Sequence, residues 1–393
     1  MQNMTQSYAR QIRRRLHMYP EIGFELPKTL ELIRAELDKL GIMYTEEYGK
    51  SSIVATVNSH ITDFTIGIRA DMDALPIKEQ NDVSYKSQIE GQMHACGHDA
   101  HTAIALATLK EIWEKRDQIA CRVKFLFQSA EEYAPSGAML MVKDGVMDDI
   151  DCIVALHCQP TMSVGCVGVT AGEQNATSDG FTIDFYGKSC HVANQNSGVD
   201  AIMMAVRAYT DIELMIAKEF DVQSPILFNV GAFHGGDTNN IIADHCSLFC
   251  TLRTYDDAVA AYAFDKIQRI IDAVASTAGG HATLTRHKHY PILVNDEAVS
   301  NHIRLAAEKV VGRDGVKLYR RSMEGEDFSY FALKKPACMF RLGVRNEKKG
   351  FVHGLHQDRF DIDEDALEIG VRIFVQFILD HMYDRPIKKY DQF

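Results

Sequence analysis

"CRVKFLFQSAEE", residues 121–132, carries an apolar run straight into two adjacent glutamates. A strand with one wet face would alternate, but here Val123, Phe125, Leu126 and Phe127 put apolar side chains on both sides. Strands buried on both faces, in a largely parallel sheet covered by helices, read this way. Three more runs share the pattern: "SSIVATV" (51–57), "FTIGIRA" (64–70) and "DCIVALH" (151–157). Helical stretches lie between them. In "LELIRAELDKLG" (30–41), Leu30, Ile33, Leu37 and Leu40 share one face and Gly41 stands where a C-terminal cap belongs. From Ala103 to Leu109 the chain is apolar apart from Thr108, which suits a helix packed on such a sheet.

Residues 179–289 read differently. "GFTIDFYG", "DAIMMAVRAYTDIELMIAKE", "PILFNVGAF", "CSLFCTLRTY", "AYAFDKIQRIIDAVAST" and "ATLTRHKHY" follow the order βαββαβ, the ferredoxin-like arrangement. After them α/β alternation resumes and ends in a helix that Asp363 can cap, with Leu367, Val371, Phe374 and Ile378 on one face. The expectation is an α/β fold with a discontinuous catalytic domain (1–178 and 290–393) built on a mostly parallel sheet. A ferredoxin-like α+β satellite domain (179–289) is inserted in it, as a lid or dimerisation domain.

At 393 residues two domains are the default, and 46% hydrophobic with 24% charged residues is the profile of a globular protein. A net charge of −12 argues against nucleic acid. The one basic cluster, "RQIRRRLH" (10–17), reads as the solvated face of a short helix. Nine irregularly spaced cysteines fit a reducing compartment better than a disulfide framework. No signal-peptide-like stretch opens the chain and no 18-residue apolar run spans a membrane, so the expected location is the cytoplasm.

Each strong strand of the first segment is followed by groups able to bind a cation. "TIGIRA" runs into Asp71 and Asp73, "VKFLFQ" into Glu131 and Glu132, and "CIVALH" ends on His157. Ligands of open α/β sheets collect beyond the carboxyl ends of strands. "MHACGHDAH" (93–101) adds Cys96, His98 and Asp99 before the Ala103 helix, and His356 precedes the last helix. His94 and His101 stand at the margin of this set; His60, His281, His287, His289, His302 and His381 read as ordinary hydrogen-bonded histidines. Two glutamates issuing from a buried strand repel unless something positive neutralises them, and a divalent metal does so.

Three readings of Cys96 compete. A Cys/His nucleophile leaves the glutamates and His356 without a task, and a closed structural zinc site leaves the glutamates idle. A two-metal hydrolytic site uses all of them, provided one carboxylate stays off the metals to act as base.

Nine ordered motifs narrow the choice: "LHMYPEIGFELPKT", "IRADMDALPI", "MHACGHDAHTA", "FQSAEE", "GKSCHVA", "TNNIIAD", "TLRTYD", "GEDFSYF" and "LHQDRFDIDE". Nearly end to end, the chain resembles the dinuclear metallo-aminoacylase and carboxypeptidase family. The resemblance is to the amidohydrolase branch, with its hippurate hydrolases, N-acyl-amino-acid and N-acetyl-diaminopimelate deacetylases and auxin-conjugate hydrolases. It implies two divalent ions held by Cys96, His98, Glu132, His157 and His356, with Cys96 bridging. Glu131 becomes the general base, and Asp73 and Asp99 orient ligand side chains. His191 serves catalysis and substrate binding, while Asn240, Arg253 and Glu326 line or support the cleft.

The implied activity is hydrolysis of N-acyl-amino acids, with a dipeptidase or carboxypeptidase of the same family as the alternative. A cysteine hydrolase or a non-catalytic metal-binding module fits the motifs less well. Zinc or manganese suits the ligand set best; cobalt and nickel also fit. The expected partners are a small-molecule substrate and a second copy of the chain in a homodimer, with no nucleic acid and no membrane. Departures from the family pattern are Gln195 and Asn196 in "CHVANQN", Ser129, Ser136 and Ala243; none removes a ligand or the base.

Overall fold

A computed structural model describes residues 2–380, so His381 and the rest of the segment after Asp380 lie outside the described residues. The chain divides into two compact units, Met1–Gln174 with Val294–Arg320 and Asp327–Phe393, and Asn175–Leu293 with Arg321–Glu326.

The first unit is built on an eight-stranded sheet. Its order is Tyr44–Thr45, Ile53–Val57, Arg122–Gln128, Thr65–Asp71, Cys152–Ser163, Ala337–Arg345, Val167–Gly168 and Val316–Lys317. The four central strands, from Arg122–Gln128 to Ala337–Arg345, pair in parallel. Antiparallel pairing enters toward the edges, at Ile53–Val57 and at Val167–Gly168. All seven residues of Thr65–Asp71 are buried, as two-sided burial demands. Val123, Phe125 and Phe127 join one core cluster with Ile104 and Leu109 of helix His98–Glu114 and Leu367, Phe374 and Ile378 of helix Asp365–Asp380. Helix Pro27–Leu40 ends on Gly41 at φ 67°, and Asp363 Oδ1 accepts from the Asp365 backbone at 3.2 Å to open the last helix.

The arginine-rich opening departs from expectation. It belongs to a 17-residue helix, Gln2–Met18, in which Arg13 is wholly buried. Arg13 meets Asp99 at 2.8 Å, Asp361 at 2.6 Å and Glu364 at 3.4 Å. Three carboxylates from two distant segments draw one guanidinium inward, which no local pattern discloses.

The second unit carries a four-stranded, wholly antiparallel sheet in the order Ile226–Gly235, His245–Thr254, Ser178–Tyr186, His281–Tyr290. Helices Ala201–Glu219 and Asp257–Ala278, capped by Asp200 and Asp256, pack on one face through Ala205, Ile212, Ile267 and Ile271 against Phe181, Ile183, Phe185 and Leu248. All nine cysteines are free thiols. Among the described residues no helix is long and apolar enough to cross a membrane.

Candidate metal centre

The centre grows from the carboxyl ends of the central strands. Helix His98–Glu114 starts at His98, earlier than the apolar run from Ala103 suggests, so His98 sits in its first turn. Gly97, just before it, has φ 90°, and a Cβ there would come within 3.0 Å of Cys158 Cβ. Glu131 and Glu132 follow strand Arg122–Gln128 after Ala130, a non-glycine residue at φ 50°. Strand Cys152–Ser163 runs six residues beyond His157, so His157 lies inside it and not at its end. His356, at φ 60°, is tied back by its own N–H to Ala95 O at 2.8 Å. Two non-glycine residues at positive φ flank the same cluster, the kind of strain that collects at functional sites.

These segments bring the six residues together. Ligand atoms of Cys96, His98 and His157 lie within 4.8 Å of one another, as do those of Cys96, Glu132 and His356, and those of His98, Glu131 and Glu132. Cys96 Sγ is 3.6 Å from His157 Nε2, and His356 Nε2 is 3.1 Å from Glu132 Oε1. Cys96, His98 and Glu132 each stand in two of these groups, so the groups overlap in one cluster.

The side chains fit a cation. His98 Nδ1 meets Asp73 O at 2.8 Å and His157 Nδ1 meets Cys158 O at 2.8 Å. Each Nδ1 therefore carries the proton and each Nε2 presents a lone pair, the usual preparation of a metal-binding imidazole. The buried Nε2 of His98 has no hydrogen-bond partner. Burial and the Glu132 carboxylate push the Cys96 thiol well up, a cost that a cation removes by holding the thiolate. Burial disfavours charge on Glu132, yet His356 and His98 outweigh it and hold the carboxylate down.

The surrounding carboxylates have separate tasks. Asp73 accepts the backbone N–H of Glu131 at 2.9 Å and of Glu132 at 3.2 Å, and its own carbonyl orients His98. Asp99 turns away from the ligands: its Oδ2 meets Arg13 at 2.8 Å and His17 at 2.7 Å. The expectation that it orients a ligand side chain is corrected accordingly. His101 has both ring nitrogens engaged, Nδ1 with Asp71 at 2.6 Å and Nε2 accepting from Cys158 N at 2.9 Å. His94 is buried and held neutral, its pKa near 3, chiefly by desolvation. Spacing hid a second buried network, in which Arg69 binds Asp71, Gln128 and Asp327 at 2.6–2.7 Å behind the ligand strands. Of the loop departures, Ser136 caps helix Gly137–Lys143 and Ser129 Oγ donates to Lys50 O at 2.6 Å.

The other residues expected from the sequence to serve the site lie in the second unit. His191 is exposed on a two-stranded ribbon, Cys190–His191 with Ile241–Ile242, its Nδ1 accepting from Ala193 N at 3.1 Å. Asn240 joins the same ribbon, its carbonyl accepting from Val192 N at 3.0 Å. Arg253 lies apart from this ribbon, on strand His245–Thr254, and donates to Met323 O at 2.6 Å. Glu326 is buried.

The sequence pattern of peptidase family M20/M25/M40 matches residues 67–380. The chain belongs to this family. The N-acetyl-L-cysteine deacetylase of Bacillus subtilis is 33% identical over 356 residues, 91% of this chain and 84% of that one. Thermostable carboxypeptidase 2 of Saccharolobus solfataricus is 33% identical over 364 residues, 92% of each chain. Among solved structures, the B. subtilis YXEP protein, a dinuclear metal-binding peptidase of the M20 family, superposes with a TM-score of 0.81. It shares 26% identity across 97% of this chain and 99% of its own. The M20 chain described here is thus an enzyme of a hydrolase family, with a mixed α/β fold and a mostly parallel sheet.

Proposed function

We propose that this M20 enzyme is a metal-dependent amidohydrolase that cleaves N-acyl-amino acids to a carboxylic acid and a free amino acid. The observation that carries the proposal is the meeting of Cys96, His98, Glu132, His157 and His356, with two imidazoles already locked as Nε2 donors. Two divalent ions bound there, zinc or manganese for a set of one thiolate, imidazoles and a carboxylate, would polarise the amide and acidify water. Glu131, buried beside His98 and Glu132, takes the proton of the attacking water and returns it to the departing amine. His191 stabilises the developing oxyanion, and Asn240 and Arg253 hold the substrate. No acyl-enzyme forms.

A deacetylase relative at 33% identity supports this reading, as does an N-acyl-L-amino acid amidohydrolase of Geobacillus stearothermophilus at 32% over 314 residues. The carboxypeptidase relative, equally similar, favours a second reading in which the scissile amide is a peptide bond. Turnover of N-acetyl- and N-benzoyl-amino acids against dipeptides by the metal-loaded protein separates them; preference for dipeptides would overturn the first reading. The proposal also includes a cytoplasmic homodimer, with the Asn175–Leu293 unit as its lid and dimerisation domain.

A further inference from the structure

His101 reaches the metal centre without joining it. It follows His98 by three positions in helix His98–Glu114, so both rings leave one face of the first turn, 5.5 Å apart. Ligand atoms of Asp71, His98 and His101 lie within 4.8 Å of one another, yet His101 has no lone pair left for a cation. The backbone N–H of Cys158 donates to its Nε2 at 2.9 Å, which puts the ring proton on Nδ1, facing Asp71 Oδ1 at 2.6 Å. Asp71 is fixed in turn: Arg69 donates to its Oδ2 at 2.6 Å, and Thr102 Oγ1 to its carbonyl at 2.8 Å. The same Oδ2 stands 3.6 Å from His98 Nε2, beyond hydrogen-bond reach.

What His101 holds is a strand that has outrun its neighbour. Strand Cys152–Ser163 pairs with Thr65–Asp71 only as far as Ala155, opposite Arg69. With Ala337–Arg345, on the other side, pairing continues through Cys158 to Gln159 and then shifts register. His157 and Cys158 therefore sit where the ladder is failing, and a buried N–H there needs a partner of another kind. The His101 ring supplies it. Cys158 also offers its carbonyl to His157 Nδ1 at 2.8 Å, the bond that leaves His157 Nε2 facing Cys96 Sγ at 3.6 Å. The His101 and His157 rings meet edge to face, 4.8 Å apart.

We infer that His101 is a positioning residue for His157: it clamps the Cys158 main chain, whose carbonyl sets the tautomer and direction of the proposed ligand. The inference rests on the reading of His157 as a metal ligand. Asp71 keeps the His101 proton on Nδ1 and so keeps Nε2 an acceptor. The opposite tautomer would set one N–H against another and free the Cys158 amide. Groups that orient a ligand from behind typically govern metal affinity by about 10–100-fold.

Asparagine and glutamine divide the two bonds of His101 between them. An Asn amide falls where Nδ1 lies and can keep Asp71, whereas a Gln amide reaches the place of Nε2 and can accept from Cys158 N. Zinc affinity is read by competition with a chromophoric chelator. His101→Asn is expected to bind one ion about tenfold or more weakly, and His101→Gln to stay near wild type. A general packing defect weakens both alike; that result, or no weakening in either, would overturn the inference. Long-range 15N–1H NMR of the metal-free protein gives a second reading. In wild type both His101 and His157 should carry the proton on Nδ1, and a proton on Nε2 of His101 would end the inference even if neither variant folds. Should wild type bind no zinc, the ligand reading of His157 fails, and the NMR arm still decides the role of His101. The His157 tautomer kept in His101→Gln and averaged in His101→Asn supports it, and one unchanged in both ends it. No arm uses a substrate, so failure of the N-acyl reading is a separate result.

Discussion

Glu131 and Glu132 are neighbours in the chain but not in environment. His98 is grouped with both, but Glu132 also has His356 at 3.1 Å and shares a group with Cys96, while Glu131 is buried. Glu131→Gln is therefore expected to keep its metal and lose about 10²–10⁴ in kcat, the usual contribution of a general base. Glu132→Gln should instead lose metal on dialysis at concentrations that leave wild type loaded. Elemental analysis beside steady-state kinetics checks both, and the opposite pattern would exchange the roles. At this scale the cluster was legible because the residue types are rare and dense: Cys96, His98 and Asp99 fall within four positions. What stayed hidden was direction. Nothing in "GHDAH" tells that Asp99 faces Arg13 while His101 bridges Asp71 and Cys158.

Helix His98–Glu114 shows why element boundaries were harder to read. Thirteen of its seventeen residues are buried, so it has no wet face and no 3.6-residue period to mark its start. Burial on both faces made the strands conspicuous, and burial all round made this helix start obscure. Its first turn depends on Gly97. Gly97→Ala should destabilise the fold by about 1–3 kcal/mol, since φ is strained for alanine and the new Cβ presses on Cys158. Urea denaturation of the chelated protein reads that loss without the metal's contribution.

The helix Gln2–Met18 braces the same turn through His17 and Arg13. Burial and Arg13 disfavour a charged His17, but Asp99 and Glu79 outweigh them and raise its pKa to about 9. A raised folded pKa adds stability that is complete below the unfolded value, about 6.5, and is lost as pH climbs through 9. Thermal melts of wild type should fall between pH 6.5 and 9.5, and those of His17→Asn should fall less over that window. Equal slopes would remove His17 as the cause.

For the whole molecule, the proposed ligands come from four separated stretches, and a cation held by them would stabilise the folded chain alone. Chelation should abolish turnover and lower the melting temperature, and added zinc or manganese should restore both. Activity that survives complete removal of metal would end the two-metal reading. The second unit's order, βαββαβ, was legible from alternating strands and capped amphipathic helices, whereas the small return of Arg321–Glu326 to that unit carries no pattern. The proposed dimer is tested by mixing Glu131→Gln with His191→Ala under conditions that exchange subunits. Recovered activity would place His191 of one chain at the site of the other; no gain over the separate variants would reject that sharing.

The placement of His356 has a consequence for how the protein is made. Cys96, His98, Glu132 and His157 leave the ribosome while about two hundred residues remain before His356. At roughly 5–20 residues per second that interval is about 10–40 s. On the proposed ligand set, the nascent chain then exposes an unfinished chelate of one thiol, two imidazoles and a carboxylate to the cell's metal pool. His356, the last of the proposed ligands, follows the whole second unit in the sequence. Which ion is captured is thus open to kinetic control by whatever metal is exchangeable during translation, and not to equilibrium affinity alone.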